Sequence, residues 1–396
     1  MLSSPDVPKT KGDDSYNKLK KKYHDFGFPQ THVEVNGKPV SGKKKETFIG
    51  EITVDLTAGF EASVVNFRIF GAYDQSTGDF NFSDVEKQAL LGVSLKVYVG
   101  YLGVLEPVFV GFVASVSFGY DGIDPPYIEI TGMDAKGVMM ASSYAYSLKV
   151  KSYGEAVNEI LKRTAYTKMQ SAKIIEKISV SDTPDKKQGG GGNDKASAET
   201  IEMVSESDYD FIIKAAKKFN FDFFIDRGNV IFRKAKSAQT PLMCLAVGKG
   251  VITFNLEYSL TGMVQKIEVR SLDAGKGQLI KADGTYSKDM STGSAAKALI
   301  NKSQKVYIDP SIHSEEQAKI RLDSLMEEMS YKLGYLECEC IGIPEILPGN
   351  FIEIEVGSPA DNKFYITNVT HRIKNDGTYT TKIIGKIDSV KKKSPI

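Results

Sequence analysis

The chain has 396 residues, 41% hydrophobic and 26% charged, a globular balance on a length too great for one ordinary core. Its 51 Lys and Arg nearly cancel its 50 Asp and Glu, so no global field favours a polyanion, and nucleic-acid binding is not expected. Three cysteines argue against a disulfide framework, and no apolar run reaches the roughly 18 residues of a membrane helix.

The stretch from Met1 to Asp14 is polar and has no apolar core of a secretion signal, so Sec export is not expected and the chain reads as cytosolic. Residues 1–28, with Lys18, Lys20, Lys21 and Lys22, read as a basic, solvated N-terminal arm. Residues 29–148 then give strand after strand. His32 to Val35 runs into the turn pair Asn36-Gly37, a hairpin signal. Alternation follows through Ile52, Val54 and Leu56, through Val65, Phe67 and Ile69, and through Val93 to Val99. Val108 to Phe112 and Ile128 to Ile130 complete a barrel-like set.

The period changes over residues 149–236. Ser152 with Glu155 is a capping box, and Ala156, Val157, Ile160 and Leu161 mark a helical face. Residues 181–197 are polar and glycine-rich and read as a flexible loop around Gly189 to Gly192. Ser205 with Asp208 at N3 reads as the start of a second helix, whose face carries Phe211, Ile212, Ala215, Ala216 and Phe219. The hairpin of Phe221 to Ile225 and Val230 to Phe232 closes this α+β module.

Residues 237–390 return to strands. They include Gly/Ser/Lys-rich residues 271–313, read as a long excursion, and a helix at 315–331 capped by Ser314 and Gln317. Residues 391–396 form a basic tail. The predicted class is therefore mainly β with an α+β insert, two barrel-like domains flanking the module.

None of the sequence patterns for chemistry is met. Lys195 follows Asp194 and precedes Ala196, and Gly248-Lys249 is followed by Gly250, so neither glycine run has the Ser or Thr of a phosphate loop. His24, His32, His313 and His371 are scattered. His371, at a strand end, reads as a packed or interfacial residue. Cys338 and Cys340 share one strand face without the two-residue gap of a zinc knuckle. Glu327-Glu328 and Asp13-Asp14 read as solvated surface. The expectation is no catalytic, cofactor or metal residue and no enzyme activity.

One combination is more specific. Ser205-Glu206-Ser207-Asp208-Tyr209-Asp210-Phe211 leads through Phe219 to Phe223-Phe224-Ile225 and back to Phe232-Arg233. That order resembles the late control protein D family and the N-terminal part of VgrG spikes, the baseplate hubs of contractile phage tails and injection systems. Phe60 to Phe67 resembles an early strand of that family, Pro107 to Val113 its "F-x-G-x-V" strand, and Val264 to Asp273 the start of its second barrel. Pro348-Gly349-Asn350-Phe351-Ile352 resembles its "PG" turn, and Tyr365 to His371 its "Y-x-hydrophobic-x-x-V-x-H" strand.

The resemblance assigns Ser205, Asp208, Phe211, Phe223, Phe232, Pro348, Gly349 and His371 to structural motif positions. It implies a homotrimer with a central channel, built as a pseudo-sixfold ring that adapts a six-fold tube to a three-fold spike. The implied partners are further copies of the chain, the inner tube protein, a separate spike protein and other baseplate proteins. Neither membrane insertion nor specific nucleic-acid binding is implied, and the setting is a phage tail or phage-tail-like particle. The alternative is a tail-associated receptor- or carbohydrate-binding β-protein, with a cell-wall hydrolase as a lesser one.

Overall fold

The computed structural model describes residues 15–40, 47–80, 91–120, 122, 125–185, 201–273, 277–286, 293–357 and 360–390. The glycine run at 189–192, the basic tail at 391–396 and the first fourteen residues of the predicted arm lie outside them.

The rest of the arm is not a solvated tail. Ser15–Lys22 forms helix α1, too short to persist alone, and it is held by Leu19 and Tyr23, both buried in the main core. A turn with positive φ at His24, Asp25 and Phe26 leads into β1. The first β unit comprises β1 (Pro29–Val35), β2 (Lys38–Pro39), β3 (Phe48–Thr57), β4 (Val64–Phe70), β7 (Ser94–Tyr101), β8 (Val104–Gly119) and β9 (Tyr127–Met133). The small ribbon β5 (Tyr73–Asp74) with β6 (Asp79–Phe80) lies beside it. Asn36 and Gly37, at φ 51 and 71, make the two-residue hairpin between β1 and β2. In β4 the alternation is literal: Val65, Phe67 and Ile69 are buried and Val64, Asn66 and Arg68 only partly so.

The module comprises α2 (Lys136–Met139), β10 (Tyr144–Leu148), α3 (Tyr153–Leu161), α4 (Thr164–Ser171), β11 (Lys177–Val180), β12 (Ile201–Glu206), α5 (Asp208–Phe219), β13 (Phe221–Asp226) and β14 (Asn229–Lys234). Ser152 caps α3 by accepting from the Glu155 amide. The second helix starts two residues later than the sequence suggested. Ser207, not Ser205, is the N-cap, and Asp210, not Asp208, returns the bond of the capping box. Ser205 lies in β12 at φ 49. Sheet β11-β14-β13 and the helices enclose a separate core containing Phe211, Phe223 and Phe232.

The second β unit comprises β15 (Pro241–Val247), β16 (Gly250–Tyr258), β20 (Gly334–Ile341), β21 (Phe351–Glu355), β22 (Asn362–Ile373) and β23 (Tyr379–Ile387). These six close into a barrel in the order β15-β16-β20-β23-β22-β21. Between β16 and β20 lie β17 (Lys266–Asp273), β18 (Gln278–Thr285), α6 (Gly293–Ile300), β19 (Gln304–Ile308) and α7 (Glu315–Ser330). Ser314 caps α7 by accepting from the Gln317 amide. One expectation changes here. The segment Val264 to Asp273 does not begin the barrel, because β17 pairs with β18 and β19. The excursion lies outside the barrel and is folded, with Leu322 of α7 in one core with Ile267 and Val269 of the three-stranded sheet.

The first unit does not close on itself among the described residues. Its terminal strand β3 pairs instead with β22, so one 13-stranded sheet and one continuous core run through both units. The two units are built alike. In space β7-β8-β9-β4-β3 repeats as β21-β22-β23-β20-β16, with the same chain order in each. Even the irregularities match. β8 is bulged between Val113 and Ser115 and β22 between Ile366 and Asn368, while β3 is bulged between Ile49 and Ile52 and β16 between Val251 and Thr253. Gly92 and Gly349, at φ 80 and 78, donate to the carbonyls of Val113 and Ile366 at equivalent places. The sixth strand differs: β1 is antiparallel to β7, whereas β15 is parallel to β21.

Candidate functional site

The predicted motif residues do not gather into one site. They lie in the module core, at its contact with the barrel, and inside the barrel. Phe211 is fully buried and stacks on Tyr153 at 5.9 Å, and Phe223 faces Phe232 across the hairpin. Asp208 is buried and ties α5 to α4, accepting from the Arg163 guanidinium and from the Tyr166 hydroxyl at 2.6 Å. Burial, and then that bond, raise the Tyr166 pKa. Ser205 is exposed and holds nothing that the structure identifies.

The turn Pro348-Gly349-Asn350 is where module meets barrel. Arg233 donates to the Gly349 carbonyl at 2.6 Å, and the Phe224 ring packs where a side chain at 349 would stand. Beside it the Tyr365 hydroxyl donates to buried Asp222, whose carboxyl is raised by burial, while Lys236 lies 4.4 Å from the centre of the Tyr331 ring. His371 is fully enclosed in the barrel, its Nδ1 within 3.0 Å of both the Tyr379 and Thr381 hydroxyls. Burial pushes the imidazole down to about 4, so it is a neutral core group at neutral pH.

Two buried polar clusters carried no signal in the sequence. Lys136 is fully buried and donates to the carbonyls of Gly59 and Glu61 at 3.0 and 2.7 Å, beside Asp134, which accepts from the amides of Ser63 and Lys136. Burial lowers the lysine and raises the aspartate. These bonds fasten the loop after β3 to the end of β9. At the other junction, Lys22 from α1 reaches Glu106 of the first unit and Glu345 of the second, both at 2.7 Å, and the Tyr23 hydroxyl also donates to Glu345 at 2.7 Å. The helix therefore staples the two β units.

What these groups can do chemically is limited by their bonds. The buried acids and bases named above each have a partner, although the Glu345 Oε2 and His371 Nε2 atoms are buried without one. The Cys338 and Cys340 thiols are buried in β20, and burial pushes Cys338 up to about 12, far from a reactive thiolate. Among the described residues no three His, Cys, Asp or Glu side chains gather as metal ligands, and no helix is long and apolar enough to cross a membrane. A cleft of about 520 Å³ lies between α7, β18 and the barrel, lined by Tyr286, Glu327, Tyr331, Phe351 and Asp388 among others. Its Glu327 carboxylate is held by the Asn220 side-chain amide at 2.8 Å.

The fold is that of phage tail proteins. It matches the tail protein of Neisseria meningitidis MC58 at TM-score 0.63 and 13% identity, covering 91% of this chain and 97% of that one. It matches the 43 kDa tail protein of prophage MuSo2 from Shewanella oneidensis at TM-score 0.63 and 15% identity, covering 91% and 98%. A component of the type VI secretion system of E. coli, itself similar to bacteriophage T4 tail proteins, matches at TM-score 0.54 and 10% identity, covering 91% and 79%. No curated protein matches in sequence. The family of the Alg8 N-terminal domain matches residues 29–375, and the chain belongs to that family.

Proposed function

We propose that this chain is a structural baseplate hub of a contractile tail or injection machine, a homotrimer that adapts a six-fold tube to a three-fold spike around a central channel. The observation that carries the reading is the internal repeat. One chain presents the same five-strand unit twice within one sheet, so three copies supply six similar units to a tube above and three to a spike below.

The exposed face of that sheet supports a channel lining. Several of its charges are paired, Arg372 with Glu51, Lys382 with Glu337 and Arg68 with Glu129, so charges of both signs alternate on it. The partners are the inner tube protein, a separate spike protein and other baseplate proteins, in a phage tail or related particle assembled in the bacterial cytoplasm. The role is that of a scaffold rather than a catalyst, since the buried acids and bases serve structural bonds.

Sedimentation of the chain, alone and with its spike protein, tests this. A trimer is expected, and ring-shaped particles in negative stain. A 43.5 kDa monomer that the spike protein leaves unchanged would refute the reading.

A further inference from the structure

The strand pairing inside the chain contains a template for a pairing between chains. Within the chain, β22 and β3 join the units antiparallel, from Asn368 opposite Thr57 to Ile373 opposite Ile52, and the Ala58 amide donates to the Thr367 carbonyl at 2.8 Å. In the repeat, β22 corresponds to β8 and β3 to β16. Matching the bulges aligns Asn368 to Ile373 with Ser115 to Tyr120. Matching the β4–β9 pair Val65 and Gly132 to the β20–β23 pair Leu336 and Gly385 aligns Ile52 to Thr57 with Phe254 to Ser259.

Both counterpart edges are open among the described residues. Among the described residues no strand pairs with β8 beyond Val113 on the side away from β9, nor with β16 beyond Val251 on the side away from β20. Burial follows the same division. His371, Ile373 and Ile52, at the closed junction, are 0%, 8% and 1% exposed, whereas their counterparts Phe118, Tyr120 and Phe254 are 51%, 72% and 40% exposed. An open strand edge flanked by large apolar side chains calls for another strand.

We infer that β8 of one copy pairs antiparallel with β16 of the next, Ser115 opposite Ser259 through Tyr120 opposite Phe254, repeating the β22–β3 junction between subunits. The occupant is a second copy of this chain because the β16 edge is, position for position, the counterpart of the β3 edge that already pairs with β22 within the chain. The contact is head-to-tail and leaves one open edge at each end of a growing assembly, so only a closed ring satisfies every copy. This inference deepens the hub reading and rests on it.

The test places cysteines on the outer face of the pair. Ser117 and Glu257 correspond to Thr370 and Asp55, whose side chains meet at 2.6 Å within the chain. The full-length double variant Ser117→Cys with Glu257→Cys, oxidised and run under non-reducing denaturing conditions, is expected to give covalent species up to a closed trimer. Their yield should be at least tenfold above either single variant, and mixing the two single variants should stop at dimers. Tyr120→Asp, at a side chain exposed in the single chain, is expected to weaken association at least tenfold with an unchanged circular-dichroism spectrum. A trimer that forms but never cross-links through this pair overturns the strand pairing and leaves the hub reading standing. A chain that stays monomeric with and without its spike protein, and never cross-links, overturns both.

Discussion

Replacing Gly349 with alanine separates two costs that the internal repeat allows to be measured independently. Gly349 has φ 78, a conformation that costs a residue with a Cβ about 1–2 kcal/mol. A Cβ there would also stand 2.6 Å from the Phe224 ring, against an optimum near 3.5–4.0 Å, and such overpacking typically costs about 1–3 kcal/mol. The expected loss for Gly349→Ala is therefore about 2–5 kcal/mol. Gly92 is its counterpart in the first unit, at φ 80 with none of the described residues within 4 Å of where a Cβ would stand, so Gly92→Ala should cost only the backbone part, about 1–2 kcal/mol. Urea titrations followed by circular dichroism on wild type and both variants give the difference directly. Adding Phe224→Leu should cost less in the Gly349→Ala background than in the wild type. Equal losses at the two glycines, or no relief from the smaller side chain, would show that the module does not press on the Pro348-Gly349 turn as described.

Phe211→Ala is expected to cost roughly 3–5 kcal/mol, since the ring is fully buried and stacked on Tyr153; wild-type stability in a denaturant titration would contradict that packing. His371 is neutral in the fold, with a pKa of about 4 against about 6.5 when unfolded, so its contribution is complete above pH 6.5 and is lost as pH falls towards 4. The full loss is about 3 kcal/mol, and His371→Phe should flatten the stability–pH curve by up to one proton in that window. Lys136→Met strips the Gly59 and Glu61 carbonyls of their donor and leaves Asp134 without its cation, at a cost of about 3–5 kcal/mol. Adding Asp134→Asn should cost less in that background than in the wild type, and simple additivity in a double-mutant cycle would argue against the coupling.

Local signals in the sequence were sufficient where one segment decides its own structure. Ser152 and Ser314 cap the helices that their spacing predicted, Asn36-Gly37 makes the hairpin, and the alternation of Val65, Phe67 and Ile69 names the buried face of β4. The late control protein D resemblance pointed to a tail-type architecture, and the fold is that of phage tail proteins. Where two local solutions compete, tertiary contacts chose. Ser205 with Asp208 and Ser207 with Asp210 are equally good capping patterns two residues apart. The second prevails in the fold, where the Asp208 carboxylate is engaged by Arg163 and Tyr166 from α4.

Polarity alone made residues 15–28 look like a solvated arm. Leu19, Tyr23 and the Lys22 bond to Glu345 hold them against the barrel, a contact more than three hundred residues away in the chain. Likewise, alternation in Val264 to Asp273 predicted a strand but not its neighbours, because a pleated strand carries the same pattern in any sheet. Only the folded molecule shows that β17 pairs outside the barrel, that β3 is bonded to β22, and that no described strand covers the matching edges of β8 and β16. Side-chain period is a property of one strand, whereas edge pairing is a property of two, and the second partner here is distant in sequence or on another chain.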